Sequence, residues 1–463
     1  KGMTALVSTA YMDEAARFHR LSFLSHGRVL ASGTPAEVQS LVPGLVVTFE
    51  SSPQLEAVAR LKHRYAQVES LGPLLHVFTP EREPEAAVAG IRHALENLPL
   101  EHVHTDEPEL EDVVVALLLK EREEQPGVSA GSDHSARLAG RQQLDGLAVE
   151  AKELIRDFGS FRAVDRVSFD MKQGEIFGLL GANGAGKTTV IKMLTGIVPP
   201  TAGEGRVAGA DMRTAGGAIK ERIGYMSQAF SLYLDLTVIE NIRLFAGIYG
   251  LARREAQQRM EWIVEMAGLT GYEDDRTGRL PMGVRQRLAL GCALVHSPRV
   301  LFLDEPTSGV DPIGRRRFWE LLSRLAREEG VAILITTHYL SEAEHCDRLA
   351  LMYAGRIVAE GTPAHLKRQV ERDIGQLMEI VADKPGLALG HVVAAGFAGA
   401  ALFGTKIHVL SRDPGNDEGR LRDVLARSGI AVEAVRTRML SLEDVFVSRV
   451  MALEQAAQKE VSA

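Results

Sequence analysis

Short, continuous apolar runs alternate along this chain with segments whose apolar residues recur at helical spacing. Ile176–Leu180 and Val300–Leu303 are two such runs, and the pattern is typical of strands buried on both faces of a parallel sheet. The segments 231–251 and 255–269 have the period of amphipathic helices. The chain is therefore predicted to be an α/β protein with a buried parallel sheet.

One stretch of this pattern occurs twice. Gly2–Pro35 aligns without a gap to Gly330–Pro363, and about fourteen of the 34 positions are identical. After a shift of a few residues, 74–80 faces 405–411 and 109–115 faces 441–447. Each copy is predicted to continue into an appended unit of roughly eighty residues, with the order strand, helix, strand, helix, strand, helix.

Composition narrows the functional classes. A net charge of −8 argues against a nucleic-acid-binding protein that uses a basic surface. The two cysteines, Cys292 and Cys346, have no metal-binding or disulfide spacing, which favours a reducing compartment. Gly386–Gly404 is just long enough to span a bilayer, but its charged counterpart in the first copy favours a helix packed on a small sheet.

The strongest chemical signal is a glycine-rich loop between a predicted strand and a predicted helix. It follows Leu180 and comprises Gly181, Ala182, Asn183, Gly184, Ala185, Gly186, Lys187, Thr188 and Thr189. Glycines let successive backbone N–H groups point at one centre beside a helix N-terminus, which suits phosphate groups. Lys187 is predicted to reach the β- and γ-phosphates, and the Thr188 hydroxyl to bind Mg²⁺.

Two carboxylates end the apolar run at Val300–Leu303. Asp304 is predicted to organise Mg²⁺, and Glu305 to accept a proton from an attacking water. Two acidic residues at a strand end are common on protein surfaces. Here the glycine-rich loop is also expected at the carboxyl edge of a parallel strand, where ligands collect.

With these motifs in place, 148 to about 367 resembles the nucleotide-binding cassette of ABC transporters. The resemblance implies a P-loop NTPase fold with a RecA-like core, a small antiparallel sheet and a helical subdomain at about 228–289. The implied domains are a remnant of a first cassette (1–42), a small α/β appended domain (43–122), a linker (123–147), a complete second cassette (148–370), a second appended domain (371–455) and a tail (456–463). Because Lys1-Gly2 matches Glu329-Gly330, inside a motif, we expect a fragment of a longer polypeptide.

The resemblance also assigns roles to four further residues. Phe158 falls where an aromatic ring stacks on adenine, although an apolar residue of the small sheet is an alternative. Gln228 falls where the family's glutamine contacts Mg²⁺ and the attacking water, and Asp311 lies in the loop facing the other cassette. His338 corresponds to the histidine that contacts the γ-phosphate.

Two positions depart from the family pattern. The signature motif, which contacts the ATP of the opposite cassette, reads Leu280-Pro281-Met282-Gly283-Val284 and lacks the usual serine. Ala10 replaces, in the first copy, the histidine found at 338 in the second. In this family each ATP is held by the phosphate loop of one cassette and the signature motif of the other. Both changes would therefore fall on the ATP site of the first cassette, and we expect one competent and one degenerate site.

The nearest resemblance is to tandem ATP-binding subunits of drug-export type. It implies ATP and Mg²⁺ as cofactors, and separate membrane permease subunits and the first cassette as partners. It also implies a cytoplasmic location at the inner face of the membrane. A ribosome-associated or translation-factor-like tandem ATPase is the alternative, and we expect no nucleic-acid partner.

Overall fold

The computed structural model describes residues 3–25, 27–123, 146–214, 216–228, 231–397, 399–404 and 406–462. These residues form two compact units. The first comprises the described residues within Lys1–Val68, Leu74–Pro126 and Ala364–Ala463, and the second those within Glu69–Pro73 and Gly127–Pro363. The predicted linker 123–147, apart from its ends, and the Lys1-Gly2 match lie outside the described residues.

The secondary structure falls into three successive runs. The first run contains α1 (Met12–Ala15), β1 (Leu21–Ser25), β2 (Arg28–Gly33), α2 (Pro35–Gln39), β3 (Leu45–Glu50), α3 (Gln54–Lys62), β4 (Val68–Leu71), β5 (Leu74–Thr79), α4 (Pro84–Leu95), β6 (Glu101–Asp106) and α5 (Leu110–Glu123). The second run begins with β7 (Val149–Phe158), β8 (Phe161–Met171), β9 (Ile176–Leu180), α6 (Lys187–Leu194), β10 (Ala202–Val207), β11 (Ala210–Asp211), α7 (Gly216–Arg222), β12 (Ile223–Met226), α8 (Val238–Ile248) and α9 (Arg253–Met266).

That run continues through a 3₁₀ turn (Thr277–Arg279), α10 (Met282–Leu294), β13 (Val300–Asp304), α11 (Pro312–Arg327), β14 (Ala332–Thr337), a second 3₁₀ turn (Glu342–His345), β15 (Arg348–Tyr353) and β16 (Arg356–Gly361). The third run contains α12 (Pro363–Asp373), β17 (Gln376–Ala382), α13 (Pro385–Ala394), β18 (Ala401–Phe403), β19 (Lys406–Ser411), α14 (Pro414–Arg427), β20 (Val432–Arg438) and α15 (Leu442–Ser462).

The core of the second unit is a six-stranded sheet in the order β12-β13-β14-β9-β15-β16. Its first five strands run parallel, and β16 joins antiparallel at the edge. Every residue of β9, β13 and β14 is buried, as expected for central strands covered on both faces. The α/β class predicted from the apolar runs is confirmed, and the loops after β9 and β13 leave the same edge of the sheet.

A second sheet of this unit is antiparallel, with the order β11-β10-β7-β8. Helices α8, α9 and α10 form an adjoining helical layer, whose apolar side chains pack into one core with those of β13 and α11. Thr237 starts α8 with a capping box, in which its hydroxyl accepts from the Glu240 N–H while the Glu240 carboxylate accepts from the Thr237 N–H. These reciprocal bonds fix the beginning of the helical layer.

The first unit contains the hairpin β1–β2 and two small antiparallel sheets, except that residues 69–71 of the short strand β4 belong to the second unit. The register of β1–β2 shifts between Phe23 and Leu24. The register of β15–β16 shifts between Leu351 and Met352, which are the aligned positions of the repeat. The sequence repeat is therefore also a repeat of local structure, including one β-bulge.

The two small sheets have the orders β4-β5-β3-β6 and β18-β19-β17-β20. Each contains four strands, so the predicted order of three strands and three helices was incomplete. The missed strands, β4 and β18, have only four and three residues, too few for a periodic pattern to show. Each of them forms a hairpin with the strand that follows.

The apolar stretch Gly386–Gly404 is divided between α13 and β18. Within the part of the chain that the structure describes, no helix combines the length and hydropathy needed to cross a lipid bilayer. At the C-terminus, α15 continues to Ser462, through most of the predicted tail 456–463.

Candidate nucleotide-binding site

The glycine-rich loop joins β9 to α6 at the carboxyl edge of the six-stranded sheet. Gly181 and Gly186 have φ of 151° and 107°. A Cβ on Gly181 would lie 2.2 Å from the Met352 carbonyl oxygen, and one on Gly186 would lie 2.5 Å from that of Ala163. Only glycine fits at these two positions, because both the backbone conformation and the space exclude a side chain.

The tip of the loop is open to solvent. Ala182, Asn183 and Gly184 are exposed, whereas Ala185 is buried and its N–H donates to the Ala182 carbonyl at 3.1 Å. No heavy atom lies within 4 Å of where a Gly184 Cβ would be. Helix α6 begins at Lys187, directly after Gly186, so the positive end of the helix dipole faces the loop.

Lys187 places a buried ammonium group inside this loop. Its Nζ donates to the carbonyl oxygens of Gly181 (2.7 Å) and Ala182 (3.2 Å) and lies 3.9 Å from Glu305 Oε1. Burial lowers the pKa of Lys187, although the charges of Glu305 and Asp304 partly oppose this. An anionic ligand in the loop would stabilise this poorly compensated cation.

Thr188 and Asp304 bring two hard oxygen ligands together. The Thr188 hydroxyl donates to Asp304 Oδ1 at 3.3 Å. A buried hydroxyl, that of Thr336, donates to the same oxygen at 2.6 Å and thereby orients the carboxylate. Hydroxyl and carboxylate oxygens suit Mg²⁺, which usually takes its other ligands from phosphates and water. The described residues contain no cluster of three His, Cys, Asp or Glu side chains that could hold a metal ion by themselves.

Glu305 is the residue on which the predicted catalytic side chains converge. Gln228 Nε2 donates to its Oε2 at 3.0 Å, and His338 Nδ1 lies 3.3 Å from its Oε1. Its φ of 50° is strained for a non-glycine residue, and the Thr336 hydroxyl accepts its N–H at 3.1 Å. Among the described residues, His338 Nδ1 is a buried atom that faces the Glu305 carboxylate without forming a well-aligned hydrogen bond.

Sequence reasoning missed Thr336 and a second buried group behind Glu305. The Thr307 hydroxyl donates to Glu342 Oε2 at 2.7 Å, and Arg315 Nε lies 3.5 Å from Glu342 Oε1. All three side chains are at least 95% buried. They join the loop after Glu305, helix α11 and the 3₁₀ turn that follows His338.

The remaining predicted residues lie at element ends. Phe158 ends β7 with its ring 48% exposed and beneath the Arg156 guanidinium, 4.6 Å from the ring centroid. Asp311 caps α11 by accepting the Gly314 N–H at 2.9 Å. Pro281 is the N-cap of α10 and provides no side-chain cap, and Met282 after it is 43% exposed.

Comparison with known proteins agrees with this geometry. The family model described as ABC transporter matches residues 164–308. The chain is 39% identical over 380 residues to the probable multidrug ABC transporter ATP-binding protein YbhF of Escherichia coli K12, covering 81% of this chain and 64% of that protein. It thus spans less than two thirds of that relative.

A second relative is shorter. The chain is 37% identical over 301 residues to the Nod factor export ATP-binding protein I of Burkholderia thailandensis, covering 65% of this chain and 95% of that protein. A solved structure of cbiO1 from Clostridium perfringens, described as part of the ABC transporter complex cbiONQ, is 28% identical with a TM-score of 0.45. It covers 49% of this chain and 95% of its own. The identity and coverage of these curated relatives show that the chain belongs to the ATP-binding proteins of ABC transporters.

Proposed function

We propose that the site between the glycine-rich loop and Glu305 binds Mg²⁺-ATP and hydrolyses it. The observation that carries the proposal is the convergence of Lys187, Gln228 and His338 on one strained carboxylate, Glu305, beside the Thr188–Asp304 pair. The family model and the relatives named as ATP-binding proteins support the same chemistry.

Each side chain has a distinct part in this proposal. The loop N–H groups and Lys187 bind the β- and γ-phosphates, and Phe158 stacks on adenine. Thr188, Asp304 and Gln228 would hold Mg²⁺, which supplies charge neutralisation at the phosphates. Glu305 accepts the proton of the attacking water, and His338 contacts the γ-phosphate.

Nucleotide binding is tested by titrating a fluorescent ATP analogue into the full chain and into Lys187→Ala. Removing the buried ammonium costs about 3 kcal/mol of charge-assisted contacts, so affinity should fall about 100-fold. Lys192→Ala is the matched control, because Lys192 lies exposed on the same helix. Equal affinity of Lys187→Ala and the wild type would contradict the proposed site.

We further infer that the two copies of the repeat belong to a tandem pair of cassettes with one degenerate ATP site. Ala10 stands where the second copy has His338, and the recurring β-bulge supports the equivalence of the copies. Pro281 at the start of α10 has no hydroxyl and no N–H to offer a phosphate. The degenerate site is expected to hold nucleotide without turnover.

As a transport function, we propose ATP-driven export through separate membrane permease subunits at the cytoplasmic face of a membrane. The names of the relatives, multidrug transporter and Nod factor export proteins, support export. Purification of the chain from detergent-solubilised membranes should recover polytopic membrane proteins. Recovery of ribosomes in their place would contradict this proposal and favour a translation-associated ATPase.

A further inference from the structure

Each small sheet presents a hairpin turn at equivalent positions. In the first small sheet, His76 Nε2 lies 3.2 Å from Asp112 Oδ1, and in the second, His408 Nδ1 lies 3.2 Å from Asp444 Oδ1. Aligning His76 with His408 also aligns Gly72 with Gly404. The two glycines have φ of 57° and 61°, so both turns use the left-handed conformation that favours glycine.

The two turns contact equivalent stretches of the repeat. In the second unit, a Cβ on Gly72 would lie 3.0 Å from the Cys346 carbonyl oxygen. In the first unit, a Cβ on Gly404 would lie 3.2 Å from the Arg17 Cα. The ungapped alignment pairs Arg17 with His345, the neighbour of Cys346. Each turn therefore packs against the other copy, in the segment that follows position 338 in the second copy or the equivalent position 10 in the first.

In the second unit, the contact is made by largely buried polar groups. Glu69 Oε2 lies 3.2 Å from Arg316 Nε, and Glu69 Oε1 lies 3.5 Å from His345 Nε2. His345 Nδ1 donates to the Ser70 carbonyl at 2.8 Å, and the ring stacks on Trp319 with centroids 4.4 Å apart. The side chains of Glu69, Arg316 and His345 are each at most 14% exposed. Burial lowers the pKa of His345, so the neutral ring contributes its Nδ1–H bond to Ser70 and its stacking, while Arg316 is the cation that pairs with Glu69. Removing one partner of such a desolvated ion pair costs more than removing one at the surface.

The 3₁₀ turn Glu342–His345 connects this contact to the ATP site. His345 is its last residue, and Glu342, its first, accepts the Thr307 hydroxyl at 2.7 Å. Thr307 follows Glu305 by two residues. The next residue, Ser308, donates its N–H to the Glu305 carbonyl, which closes a turn that contains Thr307. A displacement of the 3₁₀ turn would therefore move the support behind Glu305.

The first unit repeats the arrangement with different side chains. Arg17 Nη2 forms an ion pair with Glu443 Oε2 at 2.6 Å, and its guanidinium lies 4.4 Å from the Phe403 ring centroid. The contact between turn and segment is therefore present in both copies, but the side chains beside it come from different elements, α15 in the first unit and β4 in the second.

We propose that Glu69 is a positioning residue for the ATP site. It acts through Arg316 of α11 and, together with the neighbouring Ser70 carbonyl that accepts from His345, holds the 3₁₀ turn Glu342–His345. The segment Glu69–Pro73 holds this turn, and Glu342 in turn holds Thr307 behind Glu305. The inference rests on the proposed function for the identity of the site, but the contact can be tested without turnover.

The test is hydrogen exchange measured by mass spectrometry on the full chain, with and without Mg²⁺ and a nonhydrolysable ATP analogue. Glu69→Ala should raise the exchange rate of amides 342–347 and 305–310 about three- to tenfold, because it removes contacts that hold the turn closed. Glu69→Gln, which keeps the shape of the side chain beside Arg316 but loses its charge, should restore part of the protection. Glu56→Ala is the matched control, because Glu56 also pairs with an arginine, Arg60, but on the exposed face of α3.

A mirrored variant separates a local effect from general destabilisation. Glu443→Ala should raise exchange at 12–18 and leave 342–347 unchanged. Unchanged exchange at 342–347 in Glu69→Ala would overturn the inference, as would an equal rise in the central strand β9. Binding of the ATP analogue is measured on the same samples. If the wild type binds none, the proposed function fails. Normal binding together with unchanged exchange at 342–347 in Glu69→Ala overturns only the role of Glu69.

Discussion

Thr336 offers a sharp test of how the proposed metal site is organised, because one hydroxyl serves two functional residues. It donates to Asp304 Oδ1 at 2.6 Å and accepts the Glu305 N–H at 3.1 Å. Thr336→Val replaces this hydroxyl by a methyl group of nearly the same size. The Glu305 N–H keeps a second acceptor, the Thr336 carbonyl at 3.0 Å, so the main loss falls on Asp304.

The magnitude follows from the burial of this hydrogen bond. Thr336 is 0% and Asp304 3% exposed, and a hydrogen bond to a charged group contributes about 1.5–3 kcal/mol. After the substitution, Oδ1 keeps, among the described residues, the longer bond from Thr188. Loss of a group that orients a metal ligand typically weakens metal affinity about 10- to 100-fold. We expect the Mg²⁺ concentration for half-maximal nucleotide binding to rise by that factor.

The assay is a Mg²⁺ titration of ATP-analogue binding, with affinity in EDTA measured alongside. Thr336→Ser keeps the hydroxyl and should behave like the wild type, whereas Thr188→Val, which removes a proposed ligand, should shift the titration at least as much as Thr336→Val. If Thr188→Val shifts the Mg²⁺ dependence and Thr336→Val does not, Thr336 has no part in organising the site.

Two further predictions concern Glu305, the proposed catalytic carboxylate, and a buried charge cluster around Glu379. Glu305→Gln should abolish ATP turnover while retaining nucleotide binding, since an amide cannot accept the proton. Substantial residual hydrolysis in a phosphate-release assay would contradict the assignment. Burial raises the pKa of Glu379, but His408, Lys406 and Arg438 outweigh it and lower the pKa to about 2. Because the ordinary value is 4.5, this carboxylate stabilises the folded first unit above about pH 4.5, and the stabilisation is lost as the pH falls towards 2. The free energy of unfolding, measured with urea, should fall more steeply over that pH window for the wild type than for Glu379→Gln. Parallel pH profiles of the two proteins would refute the assignment.

The central sheet and the glycine-rich loop between β9 and α6 could be predicted because their signals are local. Val300–Asp304 is a continuous apolar run ended by a carboxylate, and the glycine-rich loop carries its strand before it and its helix after it. Both patterns can be read from a few consecutive residues, because a buried strand requires a continuous apolar run and the loop requires glycine at fixed positions.

The supporting residues could not be predicted in the same way, because their partners are distant in sequence. Thr336 lies opposite Asp304 only through the parallel register of β13 and β14. That register would have indicated Thr336 once the two strands were placed side by side. Glu342 resembles any acidic residue of a solvent-exposed turn, and its burial appears only when α11 and the loop after Glu305 pack around it.

The most direct measurement is a crystal structure of the chain with a nonhydrolysable ATP analogue and Mg²⁺. In the present structure, Lys187 Nζ donates to the carbonyl oxygens of its own loop. With ligand, we predict that this ammonium contacts the β- and γ-phosphates and that the metal binds Thr188 with Asp304 beside it. A nucleotide bound elsewhere, or a Lys187 still bonded to the Gly181 and Ala182 carbonyls beside bound nucleotide, would contradict the account.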